Sequence, residues 1–429
     1  MDEANKGLLF GALALIFLQI GCKNETGRRI FEEPKSGCLK QVIPNQFLVQ
    51  WEDGQISLEY GSSKEQFEKE FVEAHLDQIK IVEQDYQIKI PLNIKSELSI
   101  QNSSNKQDPL WGVHNINVEE AWDQNVKGSY MNAQGNEEHI IVAVLDDGMD
   151  IFHKKLRSQI AYNLGEQGLD ENGNNKSSNG KDDDNNGYVD DFAGYNFAQN
   201  SNIVNDTSSH GTHVSGIIAA KHDEFSSDVI GVAPAAKILP LDFMSNGGGS
   251  ISAAVDAIDY AEMMGARIIN ASWGGSQCSS ILEEKINSLS SKNILFVAAA
   301  GNESQDIDHQ FVYPASFDAP SLIVVGSVEY DFYMAGHSNF GENHVDIFAP
   351  GEGIMSTLDS RTKRVDGNMT GTSMAAPFVS GALALLWSAN PDATANEIKS
   401  ALLSGVYNDD FYNNSSRGRL NVGAALGSL

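Results

Sequence analysis

Three reactive side chains stand where predicted secondary-structure elements end or begin. Asp146 ends the apolar strand IVAVL, His210 opens a predicted helix, and Ser373 opens a longer one. A serine hydroxyl is a poor nucleophile until a base takes its proton. An imidazole does this near neutral pH, and a carboxylate orients the imidazole and stabilises its cation. The three residue types at these positions therefore predict nucleophilic catalysis by the serine.

Each of these residues alone also has a plain structural interpretation. An aspartate at a strand end usually caps a turn, and Ser373 could be a helix N-cap. His210 and His213 could form a metal pair three residues apart, but no further histidine or cysteine supports it. The three residues together, in the order Asp, His, Ser, favour catalysis.

The segments around these residues resemble the subtilisin-like serine proteases. Four motifs carry the resemblance, in the family's order: the strand before Asp146-Asp147-Gly148, HGTHVSG from His210, AAGN ending at Asn302, and GTSMAAP around Ser373. The resemblance covers residues 108–429. It implies an Asp146–His210–Ser373 triad, with Asn302 and the Ser373 backbone N–H donating to the developing oxyanion.

The resemblance also implies where a peptide substrate binds. The substrate would add a β-strand between two enzyme segments, with glycines allowing close approach; these segments are Gly247, Gly248, Gly249 and Ser272, Trp273, Gly274. The specificity pocket would be lined by Ser272 to Gly274, by Ala299, Ala300 and Gly301, and by the stretch near Val312. Val312 stands where a glycine floors the pocket in well-known members, so we expect a shorter pocket that disfavours large aromatic side chains. A glycine triplet alone also fits a flexible loop.

Asp147 departs from the bacterial pattern, in which threonine or serine is common. Asp-Asp-Gly is familiar from the proprotein-convertase branch, where the second acid lies near the bound substrate. The rest of that branch's pattern is missing, since the histidine motif reads HGTH and no β-sandwich domain follows. Two interpretations stay open: Asp147 favours basic residues near the scissile bond, or it is a solvated second carboxylate.

An acidic insert at 165–192 carries eight acids against two lysines. Its run DDDNNGY spaces oxygen ligands as a calcium loop of the EF-hand type does, although the twelfth position is alanine rather than glutamate. Hard oxygen donors favour Ca²⁺ over a transition metal. The predicted ligands are Asp182, Asp184, Asn186, the Tyr188 carbonyl, and Asp190 or Asp191. The alternative is a solvated acidic loop.

The elements that position these residues form two regions. After residue 108, apolar strands alternate with amphipathic helices, which predicts an α/β domain at 108–429. The resemblance implies a subtilisin-like fold, a mostly parallel central sheet flanked by helices. Region 40–107 has a small α+β pattern, and the resemblance implies an inhibitory propeptide domain with a cleavage zone near 101–108. A permanent accessory domain is the alternative.

The N-terminal sequence predicts an export signal. Residues 8–20 are an apolar run shorter than the ~20 residues needed to span a bilayer. The run ends at Gly21-Cys22 and resembles a bacterial lipoprotein signal at 1–22, followed by a polar tether at 23–39. An ordinary cleaved signal or an uncleaved anchor is the alternative. We expect a cell-envelope lipoprotein or a secreted protein. Cys38 would leave with the propeptide, so Cys278 is expected to be a free thiol.

Composition limits the partners. The 429-residue chain has a formal charge of −29, which disfavours nucleic acid and anionic membrane surfaces. The expected partners are a polypeptide substrate and the chain's own propeptide, and membrane contact is expected only through a lipid anchor. We expect the protein to be a monomer. The predicted function is a self-processing serine endopeptidase. The alternatives are an inactive subtilase fold acting as a surface-binding module, and a convertase-like processing enzyme.

Overall fold

The structure is a computed structural model that describes residues 30–31, 41–89, 108–206, 208–222, 229–245 and 248–429. The predicted signal, tether and cleavage zone lie outside these residues. The chain divides into two compact units, whose described parts are 30–31 with 45–83, and 41–44 with 84–429.

The first unit is a small α+β structure. Its elements are β1 Val42–Trp51, β2 Ile56–Tyr60, α1 Lys64–Phe67, which continues as tighter and wider turns to residue 75, and the first half of β3 Ile79–Lys89. Strands β1 and β2 pair in antiparallel fashion, with Leu48 opposite Leu58. Alternating apolar side chains from strand and helix, among them Phe47, Val49 and Phe67, bury a common core.

The second unit is the predicted α/β fold. Its elements in chain order are α2 Trp111–His114, α3 Glu119–Asp123, β4 Ser129–Met131, β5 Glu137–His139, β6 Ile141–Asp146, β7 Tyr195–Asn196, α4 His210–Ala219, β8 Lys237–Asp242, β9 Met244–Ser245, β10 Gly248–Ser250, α5 Ile251–Met263, β11 Ile268–Ala271, α6 Ser280–Leu289, β12 Leu295–Ala299, β13 Leu322–Val328, β14 Ile347–Pro350, β15 Ile354–Thr357, β16 Asp366–Met369, α7 Thr372–Ala389, α8 Ala395–Ser404, β17 Tyr407–Asn408, β18 Gly418–Arg419 and α9 Val422–Leu426. The pattern after residue 108 predicts strands at 139–145, 236–243, 267–272, 293–300 and 322–328 and helices at 211–221, 250–265, 280–291, 374–388 and 395–403. All ten are present, with ends shifted by a few residues.

One large sheet organises this unit. Its strand order is β17-β18-β14-β13-β12-β11-β6-β8-β7, and every pairing is parallel except that of β17 with β18. Parallel strands are covered on both faces, which explains why β12 and β13 are continuous apolar runs with every residue buried. The carboxyl ends of β6, β11 and β12 meet at one edge, where a ligand site is expected.

Helix α7 is the central helix of this core. Almost all of its residues are buried, and Pro377 lies early in the helix, where few backbone hydrogen bonds are lost. Among the described residues it is the one helix long and apolar enough to cross a membrane, but 94% of that stretch is buried inside the protein. Its apolar composition is therefore that of a core helix.

Cys278 differs from its prediction. The sequence argument expects a free thiol, whereas the structure has Cys278 in a disulfide whose partner lies outside the described residues. The prediction is wrong because the order of cysteines along the chain does not show which thiols the fold brings together.

Candidate active site

Asp146 and His210 form a buried pair at the carboxyl edge of the sheet. The Nδ1 of His210 lies 2.7 Å from Oδ1 of Asp146, and both side chains are at most 2% exposed. Since a carboxylate only accepts, Nδ1 is the donor and Nε2 is left to act as a base. A Cβ on Gly211 would lie 2.0 Å from the Gly148 carbonyl oxygen, so only glycine lets α4 approach the strand end this closely.

Burial and charge act on His210 in opposite directions. Burial alone would lower the pKa of His210, whereas the charge and hydrogen bond of Asp146 raise it. The carboxylates of Asp147 and Asp206 add to this effect, and the pKa of His210 is raised above its usual value. Asp146 therefore stabilises the imidazolium that forms when His210 acts as a base and takes a proton.

Ser373 lies in the first turn of α7. Its hydroxyl donates to the backbone carbonyl of Ser272 at 3.0 Å, and Nε2 of His210 has no hydrogen-bond partner among the described residues. Hydrogen bonds between catalytic groups are often long or unformed without substrate. The structure thus joins Asp146 to His210 directly, but it does not show the bond between His210 and Ser373.

Asn302 follows β12, and its amide is held in one orientation. The side-chain oxygen accepts from the backbone N–H of Thr372 at 2.8 Å and from the Thr372 hydroxyl at 3.0 Å. Because both donors need the oxygen, the Nδ2 group points the other way. Asn302 and Ser373 line the same cavity, so this N–H is available to a ligand beside the serine.

That cavity has a volume of about 230 Å³. Five of the predicted substrate residues line it, namely Trp273, Gly274, Ala299, Gly301 and Val312. Ser272 and Ala300 are fully buried and lie outside the lining. Val312 faces Gly274, since a Cβ built on Gly274 would lie 3.2 Å from Cγ1 of Val312. Phe311, in the predicted stretch near Val312, also lines it, and the sequence argument missed five further lining residues: Gly275, Ser276, Glu303, Gln305 and Thr372.

Glu303 is a missed residue with a clear sequence signal, because it directly follows Asn302, as Thr372 directly precedes Ser373. Its Oε2 accepts from the Asn302 backbone N–H at 2.9 Å and from Asn339 Nδ2 at 2.8 Å. Phe311, which also lines the cavity, is 48% exposed. It comes from a loop that the predicted strands do not place.

The predicted glycine segment forms a strand. Gly248 and Gly249 lie in β10, and Gly247 lies outside the described residues. Strand β10 pairs in antiparallel fashion with the end of β3, with Gly248 opposite Lys89 and Gly249 opposite Ile88. A Cβ on Gly249 would lie 2.6 Å from a backbone oxygen, so glycine is required there.

Comparison with known proteins agrees with this geometry. The family model described as Subtilase family matches residues 137–420. Subtilisin DY of Bacillus licheniformis is 36% identical over 236 residues, which are 54% of this chain and 82% of that protein. The major intracellular serine protease of Bacillus subtilis (strain 168) is 34% identical over 279 residues, covering 64% of this chain and 74% of that protein.

The chain belongs to the Subtilase family. It is a subtilisin-like serine protease, hence a hydrolase that acts on polypeptides. Fervidolysin from Fervidobacterium pennivorans, a keratinolytic enzyme related to subtilisin, matches with a TM-score of 0.69 at 24% identity. The match covers 93% of this chain and 62% of that one, and it confirms the subtilisin-like fold.

Asp147 of this subtilase is buried, at 2% exposure. Its Oδ1 accepts from the Gly211 backbone N–H at 2.9 Å, and the Ser208 hydroxyl donates to Oδ2. Burial raises the pKa of Asp147, and the charges of Asp146 and Asp206 raise it further. This burial contradicts the solvated carboxylate, whereas the preference for basic residues near the scissile bond stays a prediction.

The acidic insert of the subtilase brings three carboxylates together. Oxygens of Glu166, Asp182 and Asp184 lie within 4.8 Å of one another. Glu166 is fully buried, and its Oε2 has no hydrogen-bond partner among the described residues. The sequence argument missed Glu166, because it precedes the aspartate run by 16 residues and only the folded loop joins them.

The other predicted ligands of the insert have partners of their own. Asp190 accepts from the Gly180 backbone N–H, and Asp191 accepts from the Tyr260 hydroxyl at 2.6 Å. Asn186 Nδ2 donates to Asp191 at 2.9 Å, while its oxygen accepts from the Tyr188 backbone N–H. Asp182 and Asp184 also accept hydrogen bonds, from Gly187 and Asn163, but they are the two predicted ligands whose oxygens lie close to those of Glu166.

Proposed function

We propose that this subtilase is an exported endopeptidase that cleaves polypeptides through Asp146, His210 and Ser373. The observation that carries the proposal is the buried 2.7 Å pair of Asp146 and His210. Such a pair has little structural purpose in an apolar core but is what a serine nucleophile needs for activation.

The proposed reaction proceeds through an acyl-enzyme. The Ser373 hydroxyl turns from the Ser272 carbonyl, His210 Nε2 takes its proton, and the oxygen attacks the peptide carbonyl. The oxyanion accepts from Asn302 Nδ2 and the Ser373 backbone N–H. His210 then protonates the leaving amine, and water hydrolyses the ester by the reverse sequence of proton transfers. Asp146 stays ionised and orients the ring.

The cavity beside Ser373 is the proposed specificity pocket. Its walls are the backbone around Gly274 and the side chains of Val312 and Phe311, with the carboxylate of Glu303 turned towards Asn302 and Asn339. A branched side chain opposite Gly274 narrows the pocket. We expect cleavage after small or medium apolar residues rather than after large aromatic ones.

The region at 40–107 is the proposed propeptide. Residues 87–89 already pair with β10, the strand expected to bind substrate, as a self-inhibiting segment would. Cleavage near 101–108 by the enzyme itself would then release activity. The proposed localisation rests on the sequence alone and is export, with Cys22 as the site of a lipid anchor. The proposed oligomeric state is a monomer.

The acidic insert is the proposed calcium site, formed by Glu166, Asp182 and Asp184. Three carboxylates in contact repel one another without a cation, and the unpartnered oxygen of Glu166 supplies a buried acceptor. The ion would hold the insert folded and takes no part in the reaction.

A serine-directed probe tests the proposed activity. We expect the purified protein to shorten itself and to react with a fluorophosphonate, and Ser373→Ala to do neither. Intact mass and N-terminal sequencing of the product then give the cleavage site and the state of Cys22. A wild-type protein that neither reacts nor shortens would instead indicate the inactive binding module, and cleavage restricted to basic sites in a peptide library would indicate a convertase-like enzyme.

A further inference from the structure

We infer that Asp147 is a positioning residue for the catalytic pair, joining the strand that carries Asp146 to the helix that carries His210. This inference rests on the proposed triad.

Asp147 has hydrogen bonds on both sides of the pair. Its backbone N–H donates to Oδ1 of Asp146 at 2.9 Å, the same oxygen that faces His210. Its own carboxylate accepts from the backbone N–H of Gly211, the residue after His210, at 2.9 Å. One residue therefore contacts the triad acid and the backbone next to the triad base.

Helix α4 needs this support because its start is poorly capped. Ser209 precedes the helix in the left-handed region, with φ of 67°, and its side chain makes no capping hydrogen bond. The first backbone N–H groups of a helix have no partner within the helix. Asp147 accepts from one of them, and an anion near a helix N-terminus is favourable. The direction in which His210 leaves the helix thus depends on Asp147.

The charge of Asp147 also bears on the base. Burial raises the pKa of Asp147, whereas the positive charge of protonated His210 and the hydrogen bonds from Gly211 and Ser208 oppose this and favour the ionised form. The charged groups around His210 are Asp146 and Asp147 at the end of β6 and Asp206 before α4, and His213 lies one turn along α4. The three acids raise the pKa of His210, against the effect of burial.

Two substitutions separate position from charge. Asp147→Asn keeps the shape and an oxygen for Gly211 but removes the charge, whereas Asp147→Ala removes both. In Asp147→Asn we expect the acid limb of the plot of kcat/KM against pH to move to lower pH by about one unit, while the plateau value is largely kept. Asp147→Ala should move the limb equally and also lower the plateau through kcat, because His210 loses its alignment.

Asp242 provides the matched control. It is a buried carboxylate directly across from Asp146 on β8, but its hydrogen bonds go to Met244 and Asn196 and none to α4. Asp242→Asn should therefore leave the acid limb of the profile in place. All rates are taken per active site titrated with a fluorophosphonate, so that loss of folded protein is not counted as loss of activity.

A second readout does not need hydrolysis. In the Ser373→Ala protein, the pKa of His210 is followed by NMR of its imidazole protons, and Asp147→Asn should lower it. An unchanged pKa and limb in Asp147→Asn would overturn the inference. So would a change confined to KM for peptides with basic residues at the scissile bond, since that assigns Asp147 to substrate. An inactive wild type whose His210 pKa still responds would count against the proposed function alone.

Discussion

Ser272 and Ser373 exchange two hydrogen bonds across the active site. The Ser373 hydroxyl donates to the Ser272 carbonyl at 3.0 Å, and the Ser272 hydroxyl donates to the Ser373 carbonyl at 2.9 Å. Asn270 Nδ2 in turn donates to the Ser272 hydroxyl at 2.9 Å. The end of β11 and the first turn of α7 are thus fixed to each other at the nucleophile.

Ser272→Ala should loosen this connection. The change leaves the Ser373 carbonyl and Asn270 Nδ2 without partners in a buried place, so we expect the free energy of unfolding to fall by about 1–3 kcal/mol. Denaturant unfolding in the Ser373→Ala background measures it. The exposed Ser291→Ala, which removes one hydroxyl bond at the surface, should change stability by less than ~0.5 kcal/mol. Equal effects of the two would contradict the buried network.

Asn302→Ala should lower kcat and leave KM almost unchanged, because an oxyanion donor acts mainly in the transition state. The expected loss is about 10²–10³, the size known for an oxyanion-hole asparagine in a subtilisin rather than measured on this chain. Thr372→Val removes one of the two donors that orient Asn302 and should cost less. Steady-state kinetics on a peptide substrate tests both, and unchanged turnover in Asn302→Ala would mean that Nδ2 does not face the reacting carbonyl.

Asp242 should make stability depend on pH. Burial raises its pKa to about 7, with the charges of Asp146 and Asp206 adding. The folded state then binds the proton more tightly than the unfolded state, so stability is highest below the unfolded value and falls as pH rises towards 7. Asp242→Asn should therefore reduce the difference in unfolding free energy between pH 5 and pH 8, measured in Ser373→Ala protein. The exposed Asp123→Asn is the control and should retain the wild-type difference.

Calcium should stabilise the acidic insert. At ~100 times its dissociation constant the ion adds about 2.7 kcal/mol to the free energy of unfolding. Thermal unfolding of the Ser373→Ala protein with calcium and with excess chelator measures this. Glu166→Gln and Asp184→Asn should reduce the shift, whereas Asp170→Asn, an acid of the insert bonded to Asn174 instead, should preserve it. A full shift in Glu166→Gln would exclude the proposed cluster as its source.

The sequence predicts the sheet from local patterns, and it predicts the Asp146–His210 contact from the motifs that resemble the subtilisin-like proteases. Apolar runs such as β12 and β13 indicate buried parallel strands, and residues at the carboxyl ends of neighbouring strands meet at one edge. Asp147 could not be placed in this way. Whether a carboxylate after a strand is buried depends on what covers it, and here the cover is Ser208 and Gly211, about sixty residues further along. Glu166 was missed for the same reason, since a loop brings it to the aspartates of the insert.

The burial of α7 determines how this enzyme resists autolysis. A protease cuts segments that open locally, and the backbone amides of a helix buried along nearly its whole length open only when the domain as a whole unfolds. The amides following Ser373 should therefore be among the slowest to exchange with deuterium. Ser373 lies in the segment that becomes accessible to another protease molecule last. Autolysis should therefore begin in exposed loops while the active site is still intact.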